Sequence, residues 1–187
     1  MRKPELIILA GSAGSYKPIF DVVKKLPQDF PIPILIVIHR GKGINHNITD
    51  VLNTACALTI KEVSDKENIE KGNVYLVPAD YHVLIEQNKT FALDNSELVL
   101  FSRPSIDVTM FSAAEVYKNS LMAILFSGAN RDGSEGLLKI KNQGGFYFVQ
   151  HLEDAEVKDM PSSALALDSN IKQLHNEEIE ILLQSFI

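Results

Sequence analysis

The sequence predicts an α/β fold, a doubly wound, mostly parallel sheet with helices on both faces and an antiparallel hairpin at one edge. Three observations carry this expectation. Short apolar runs recur along the 187 residues. Most of these runs are continuous rather than alternating, the pattern of strands covered on both faces. Between them the apolar period changes to that of a helix, so strand and helix alternate with right-handed crossovers, a Rossmann-like order.

Taken in chain order, Leu6-Ile7-Ile8-Leu9-Ala10 is brief, rich in β-branched residues and closed by Gly11, which predicts a buried strand. Lys17 to Lys25 then places Ile19, Phe20, Val22, Val23 and Leu26 on one helical face. Pro33 to Ile38 predicts the second strand, and Ile44 to Ala55 the next helix. Val74 to Val77 and His82 to Ile85 flank Pro78-Ala79-Asp80-Tyr81 and suggest an antiparallel hairpin, to which Thr90 to Leu93 adds a third strand. Asp94 to Pro104 is the best loop candidate. Val108 to Tyr117 is a helix, Leu121 to Phe126 a strand, and Ser134 to Asn142 a helix stopped by Gly144-Gly145. Phe146 to Gln150 predicts another buried strand, and Asn176 to Ser185 an amphipathic helix. No internal repeat or linker interrupts this order, so one domain is expected over residues 1–187.

Composition removes several function classes. Eighteen basic against 24 acidic residues leave a net charge of −6, which argues against nucleic acid or an anionic membrane as partner. No apolar stretch reaches about 18 residues, so no membrane insertion is expected. One cysteine builds neither a disulfide framework nor a zinc cluster and fits a reducing cytoplasm. Cys56, in an Ala-Cys-Ala-Leu stretch, reads as core. His46, His82, His151 and His175 show no metal-ligand spacing, so neither metal nor cofactor is expected.

Ligands of open α/β sheets bind beyond the carboxyl ends of the strands. Gly11-Ser12-Ala13-Gly14-Ser15 follows the first run, His39-Arg40-Gly41 the second, and Ser127-Gly128-Ala129-Asn130-Arg131-Asp132-Gly133 the run ending at Phe126. If these strands are neighbours, Ser12 is a nucleophile, His39 its base and Asp132 the acid that orients the imidazole. Ala10-Gly11-Ser12-Ala13-Gly14 is close to a nucleophile elbow, with Ala for the first Gly, and the following helix offers free N–H groups as an oxyanion hole. His39 follows Ser12 by 27 residues, about one strand-helix-strand unit. The simpler readings are an N-capping serine, a structural histidine, and an aspartate capping the helix that follows it. Phosphate-loop readings fail, because Gly11 and Gly14 do not make the dinucleotide fingerprint and the Gly128 to Glu135 loop lacks the required Lys.

Those residues also carry a resemblance. Ile8-Leu9-Ala10-Gly11-Ser12-Ala13-Gly14-Ser15, Ile36-Val37-Ile38-His39 and Gly72 to His82 are the first matching blocks. Arg103-Pro104-Ser105-Ile106-Asp107-Val108 with Ser112-Ala113-Ala114, Phe126 to Gly136, and Met160-Pro161-Ser162-Ser163-Ala164 complete them. In order and spacing the chain resembles the catalytic domain of CheB-type chemotaxis receptor methylesterases, the protein-glutamate methylesterases. The resemblance implies a cytoplasmic hydrolase that removes glutamate γ-methyl esters from the cytoplasmic helices of methyl-accepting chemotaxis receptors. Deamidation of particular glutamines is implied as a second activity. The family pattern puts the nucleophile on Ser12, the base on His39 and the orienting acid on Asp132.

Departures from the pattern fall around the expected oxyanion and substrate region of Ala13, Gly14, Ala129 and Asn130. Ala129 stands where the family typically has Met, Asn130 replaces a Gly, and Ala13 stands where Thr is frequent. They bear on rate and specificity more than on the triad. Arg40-Gly41-Lys42-Gly43 replaces a Pro-rich turn after the histidine. The family commonly carries an N-terminal phosphorylatable receiver domain, and nothing precedes the first strand here. The expectation is therefore a protein always active, controlled in trans, or cut from a longer chain. Two other readings stand beside the methylesterase. One is a catalytically degenerate adaptor in a signalling complex, and the other a serine hydrolase of a different ester or amide. His82 lies in a matched block with no step assigned to it, and His151 reads as a surface residue.

Overall fold

In the computed structural model, which describes residues 2–40 and 48–187, the continuous apolar runs form a sheet buried on both faces. The first half of the chain contains β1 (Leu6–Gly11), α1 (Tyr16–Lys24), β2 (Ile34–Ile38), α2 (Ile48–Ala55), β3 (Thr59–Glu62), β4 (Asn73–Leu76), β5 (His82–Ile85) and β6 (Phe91–Asp94). The second contains α3 (Ile106–Tyr117), β7 (Leu121–Leu125), α4 (Ser134–Asn142), β8 (Phe146–Gln150), α5 (Asp159–Leu167), β9 (Lys172–Leu174) and α6 (Asn176–Gln184). The expected helix start at Ile44, the turn at Gly41-Lys42-Gly43 and His46 lie outside the described residues.

Seven strands pair in the order β3-β4-β2-β1-β7-β8-β9, every pair parallel. Alternate residues of each strand enter opposite layers, as the pleat requires. Leu6, Ile8 and Ala10 of β1 join a cluster with Met110 of α3, Leu137 and Ile140 of α4, and Met160 of α5. Ile7 and Leu9 join a second cluster with Ile19 and Val23 of α1, Leu52 of α2, and Ile179 and Leu183 of α6. Each large side chain buried in these layers contributes about 1.5–3 kcal/mol. The fold class expected from the apolar runs is the one observed.

The details differ where the apolar signal is weak. Val74–Leu76 is buried on both sides and joins β2 and β3 in the parallel sheet rather than pairing with His82–Ile85. Instead β5 pairs with β6 in a separate two-stranded antiparallel sheet, with Leu84 opposite Ala92. That hairpin packs against α3 on a face of the main sheet, and Phe91 stacks edge-on against Tyr75 of β4 at 4.8 Å. The strands β3 and β9 lie at the two sheet edges and are short and half polar, so they leave no apolar run to read. The helix α5 is rich in Ser and Ala, with Pro161 in the first turn, where a missing N–H is harmless.

The register brings three strand ends level. Ala10 lies beside Val37 on one side and Leu125 on the other, so the segments after β1, β2 and β7 emerge together.

Candidate active site

Ser12 sits half-buried in the tight turn between β1 and α1. Its N–H donates to Ser127 O at 2.8 Å, which ties the turn to the segment after β7. Its carbonyl accepts from the Ser15 hydroxyl at 2.6 Å and from Ser15 N at 3.1 Å. Gly14 has φ of 77°, and a Cβ there would lie 2.7 Å from the side chains of both Glu156 and Ser127, so only glycine fits. The amides of Ala13 and Gly14 donate to no acceptor among the described residues. They flank the N-terminal end of α1 and are available to a developing oxyanion. Ala13 itself is held through its carbonyl, which accepts from Ser127 Oγ at 2.7 Å.

His39 follows β2 directly, and its main-chain N–H donates to Gly11 O at 3.2 Å. The imidazole is almost buried, with Nε2 2.8 Å from Asp132 Oδ2 and Nδ1 3.4 Å from Ser102 Oγ. With Nε2–H donating to the carboxylate, Nδ1 keeps the lone pair. In this tautomer Nδ1 is the nitrogen open to a proton, the reverse of the arrangement best known from serine proteases. Ser12 lies on the adjacent strand end, and among the described residues no hydrogen bond joins its hydroxyl to His39. Such contacts tighten when substrate binds.

Asp132 is completely buried and its carboxylate is fully used. Oδ1 accepts from Ser105 Oγ and from Asp107 N, both at 3.0 Å. Oδ2 accepts from Ile106 N at 2.7 Å and from His39. The acid therefore caps the N-terminus of α3, where the helix dipole favours an anion. Burial alone would push its pKa up. The His39 hydrogen bond, then the Asp107 and Ile106 amides, outweigh it and hold the carboxyl below its ordinary range. Beside it, Asp107 is also buried and accepts from Gly136 N at 2.7 Å. Burial, together with the negative charge of Asp132, pushes Asp107 up to about 7.

His82 braces the same cap from behind. It is wholly buried, its Nδ1 accepts from Ser105 N at 3.0 Å and its Nε2 donates to Glu97 O at 3.0 Å. One imidazole thus joins the cap of α3 to the loop that carries Ser102. Ser127 and Gln150 hold the other side. Ser127 Oγ accepts from Val157 N at 2.8 Å, and Gln150 Oε1 accepts from Ser127 N at 2.9 Å.

Sequence reasoning placed Ser12, His39 and Asp132 at strand ends, and the structure brings those ends together. Of the expected oxyanion and substrate residues, Ala129 is exposed on the loop after β7. Asn130 turns its Oδ1 onto Asp132 N at 3.1 Å and so shapes the turn that carries the acid. Ser105 and Asp107 stood in a matched block and Ser127 opened a strand-end segment, but the sequence assigned a role to none of them, nor to Ser102 or Gln150. Of these, Ser105 carried a local signal, a serine just before a helix. Cys56 packs half-buried against the core, and burial raises its thiol pKa. His151, Glu153 and His175 offer ligand atoms within 4.8 Å of one another. The two rings stack at 3.8 Å with 22° between planes.

A cavity of about 330 Å³ opens beside the imidazole, lined by His39, Arg40, Asp80, Leu98, Phe101, Ser102 and Arg103. Both guanidiniums in its wall are committed. Arg40 donates to Val77 O and the Glu62 carboxylate, and Arg103 donates to Asp80 Oδ1 at 2.6 Å. The wall therefore suits an uncharged reacting group better than a free carboxylate.

Comparison with known proteins gives concordant matches. The family model for CheB methylesterase matches residues 7–183. A Leptospira interrogans protein, whose name joins protein-glutamate methylesterase with protein-glutamine glutaminase, is 43% identical over 165 residues, covering 88% of this chain and 86% of its own. A Thermotoga maritima protein of the same name is 33% identical over 164 residues, and the match spans 48% of its length. The crystal structure of the Thermotoga maritima CheB methylesterase catalytic domain superposes with a TM-score of 0.91 at 29% identity, over the whole of both chains.

Proposed function

The chain belongs to the CheB methylesterase family, and from that premise we propose that it hydrolyses glutamate γ-methyl esters on chemotaxis receptors through Ser12, His39 and Asp132. Residues 1–187 act as one catalytic domain. In this reading Ser12 Oγ attacks the glutamyl carbonyl carbon while His39 Nδ1 takes the hydroxyl proton. Asp132 stabilises the imidazolium through Nε2–H, and the Ala13 and Gly14 amides receive the oxyanion. Collapse of the tetrahedral intermediate expels methanol, which takes its proton from His39, and leaves an acyl-enzyme. Water then attacks, again with His39 as base, and releases the glutamate carboxylate. A glutamine side chain follows the same path with ammonia as leaving group.

The observation that carries this reading is the 2.8 Å His39–Asp132 pair at the strand end next to Ser12. The substrate is placed on the receptor's cytoplasmic helices. Among the described residues no helix is long and apolar enough to cross a membrane.

Purified protein incubated with receptor carrying labelled methyl groups should release labelled methanol. It should also react with a serine-directed fluorophosphonate, and Ser12→Ala should abolish both. Receptor demethylation that persists at wild-type rate in Ser12→Ala would remove the mechanism. Fluorophosphonate labelling without demethylation would favour a hydrolase of another ester, and binding without either would favour an adaptor.

A further inference from the structure

The turn that touches the imidazole breaks a local rule of sequence. Val99 N donates to Ser102 O at 3.1 Å and Ser102 N to Val99 O at 2.9 Å, closing a two-residue hairpin. Its central residues, Leu100 and Phe101, have φ of 48° and 61°. A hairpin with both central residues left-handed ordinarily takes Asn, Asp or Gly there, because a larger side chain is strained at positive φ. Here the two positions hold Leu and Phe, and the Phe101 ring is 97% exposed. Strain and apolar exposure thus coincide at one residue, and nothing in the core offsets either. Local sequence that contradicts local structure is the mark of a functional site.

The position of the turn says which function. Ser102 lies against His39 Nδ1, and Phe101 and Leu98 form the outer wall of the cavity beside the imidazole. The segment leading into the turn is held at its base. Arg103 donates to Asn95 O and Ser96 O, and His82 donates to Glu97 O. On the far side, Val99 and Leu100 continue into an apolar groove with Phe111 and Leu167, both partly exposed. A small free ester could reach Ser12 without touching a ring that stands almost wholly clear of the protein. A helix carrying the ester also brings neighbouring side chains that such a ring can hold.

We infer that Phe101 is a substrate-docking residue. Its ring seats between apolar side chains one helical turn apart on the receptor helix that bears the methyl ester, and so sets affinity for the protein substrate. The inference rests on the methylesterase reading above and adds to it the surface that recognises the substrate. Ser12 and His39 perform the chemistry, and the turn 99–102 selects what is presented to them.

The test compares two substrates, methylated receptor and p-nitrophenyl acetate. In Phe101→Ser the ratio of kcat/KM for receptor to kcat/KM for the small ester should fall tenfold or more, mainly through KM on receptor, and Phe101→Tyr should restore most of it. A ratio that stays within twofold overturns the inference. So does a parallel loss on both substrates, which would mean that the turn supports the triad. If wild type sediments as a dimer and Phe101→Ser as a monomer with the ratio unchanged, the turn serves self-association and the inference falls. Wild type that turns over the small ester but never the receptor would instead overturn the receptor reading, and this inference with it.

Discussion

The Asp132 carboxylate accepts four hydrogen bonds and has no room for a donor, so its replacement is informative residue by residue. Asp132→Asn would turn an NH2 group toward donors on one side or the other. Its kcat on either ester should fall by about 10³–10⁴-fold, the loss expected when the imidazole loses its orienting anion. Urea unfolding should show a cost of about 1–3 kcal/mol from the mismatched donors. Asp107 carries the opposite electrostatic sign. Its folded pKa is raised from 3.8 to about 7, so the native state binds the extra proton between those values. Stability from this group is therefore lost as pH rises from about 4 to 7. Asp132, held below 3.8, contributes stability above that value and loses it only in stronger acid. Asp107→Asn keeps an acceptor for Gly136 N and should unfold at a higher temperature than wild type near pH 8, by ~2–4 °C for each 1 kcal/mol regained. The difference should shrink toward pH 5. A gain that is the same at both pH values would show that the carboxylate charge is not its cause.

Among the elements, the N-terminus of α3 does more for the site than any strand, and the sequence shows it least. Ser12, His39 and Asp132 were legible because each follows an apolar run, and parallel strands deliver their carboxyl ends to one edge. Ser105 and Asp107 lie 27 and 25 residues before Asp132, and only the packing of the α3 N-terminus against the loop after β7 makes them its partners, while Ser102 reaches His39 from 63 residues away. No periodicity encodes that. The hairpin, too, was half legible, because apolar pattern finds strands but not their partners. That junction can be tested at Gly133, the N-cap of α4, which has φ of 92°. A Cβ there would lie 2.7 Å from Leu125 Cδ1 and 2.8 Å from Ile106 Cγ2, between β7 and the first residue of α3. Gly133→Ala should therefore cost about 1–3 kcal/mol in urea unfolding and lower kcat as well, because Asp132 is the next residue. Full activity at reduced stability would mean that the turn relaxes without moving the acid.

In the molecule as a whole, catalytic chemistry and substrate contact rest on parts of unequal stability. The strands β1, β2 and β7 are buried in both apolar layers and pair on two sides, so exposing their amides means separating both layers at once. Ser12 and His39 extend directly from such strands. The turn 99–102 belongs to neither apolar layer and is held by its own two hydrogen bonds and by Arg103 and His82 at its base, and β9 is a three-residue edge strand with Lys172 exposed. On the proposed reading, a nucleophile on a rigid strand end beside a more exposed rim suits an enzyme that must accept a helix and still place a carbonyl accurately. Hydrogen exchange should resolve the three tiers. Amides of Leu6–Gly11 and Leu121–Leu125 should exchange only through global unfolding, with an opening free energy within about 1 kcal/mol of the urea value. Amides of 172–174 should open at a distinctly lower free energy, and those of 97–102 should exchange fastest of all. Exchange of the β1 amides as fast as those of β9 would mean that the sheet frays from its centre, and that the nucleophile does not stand on its most stable strand.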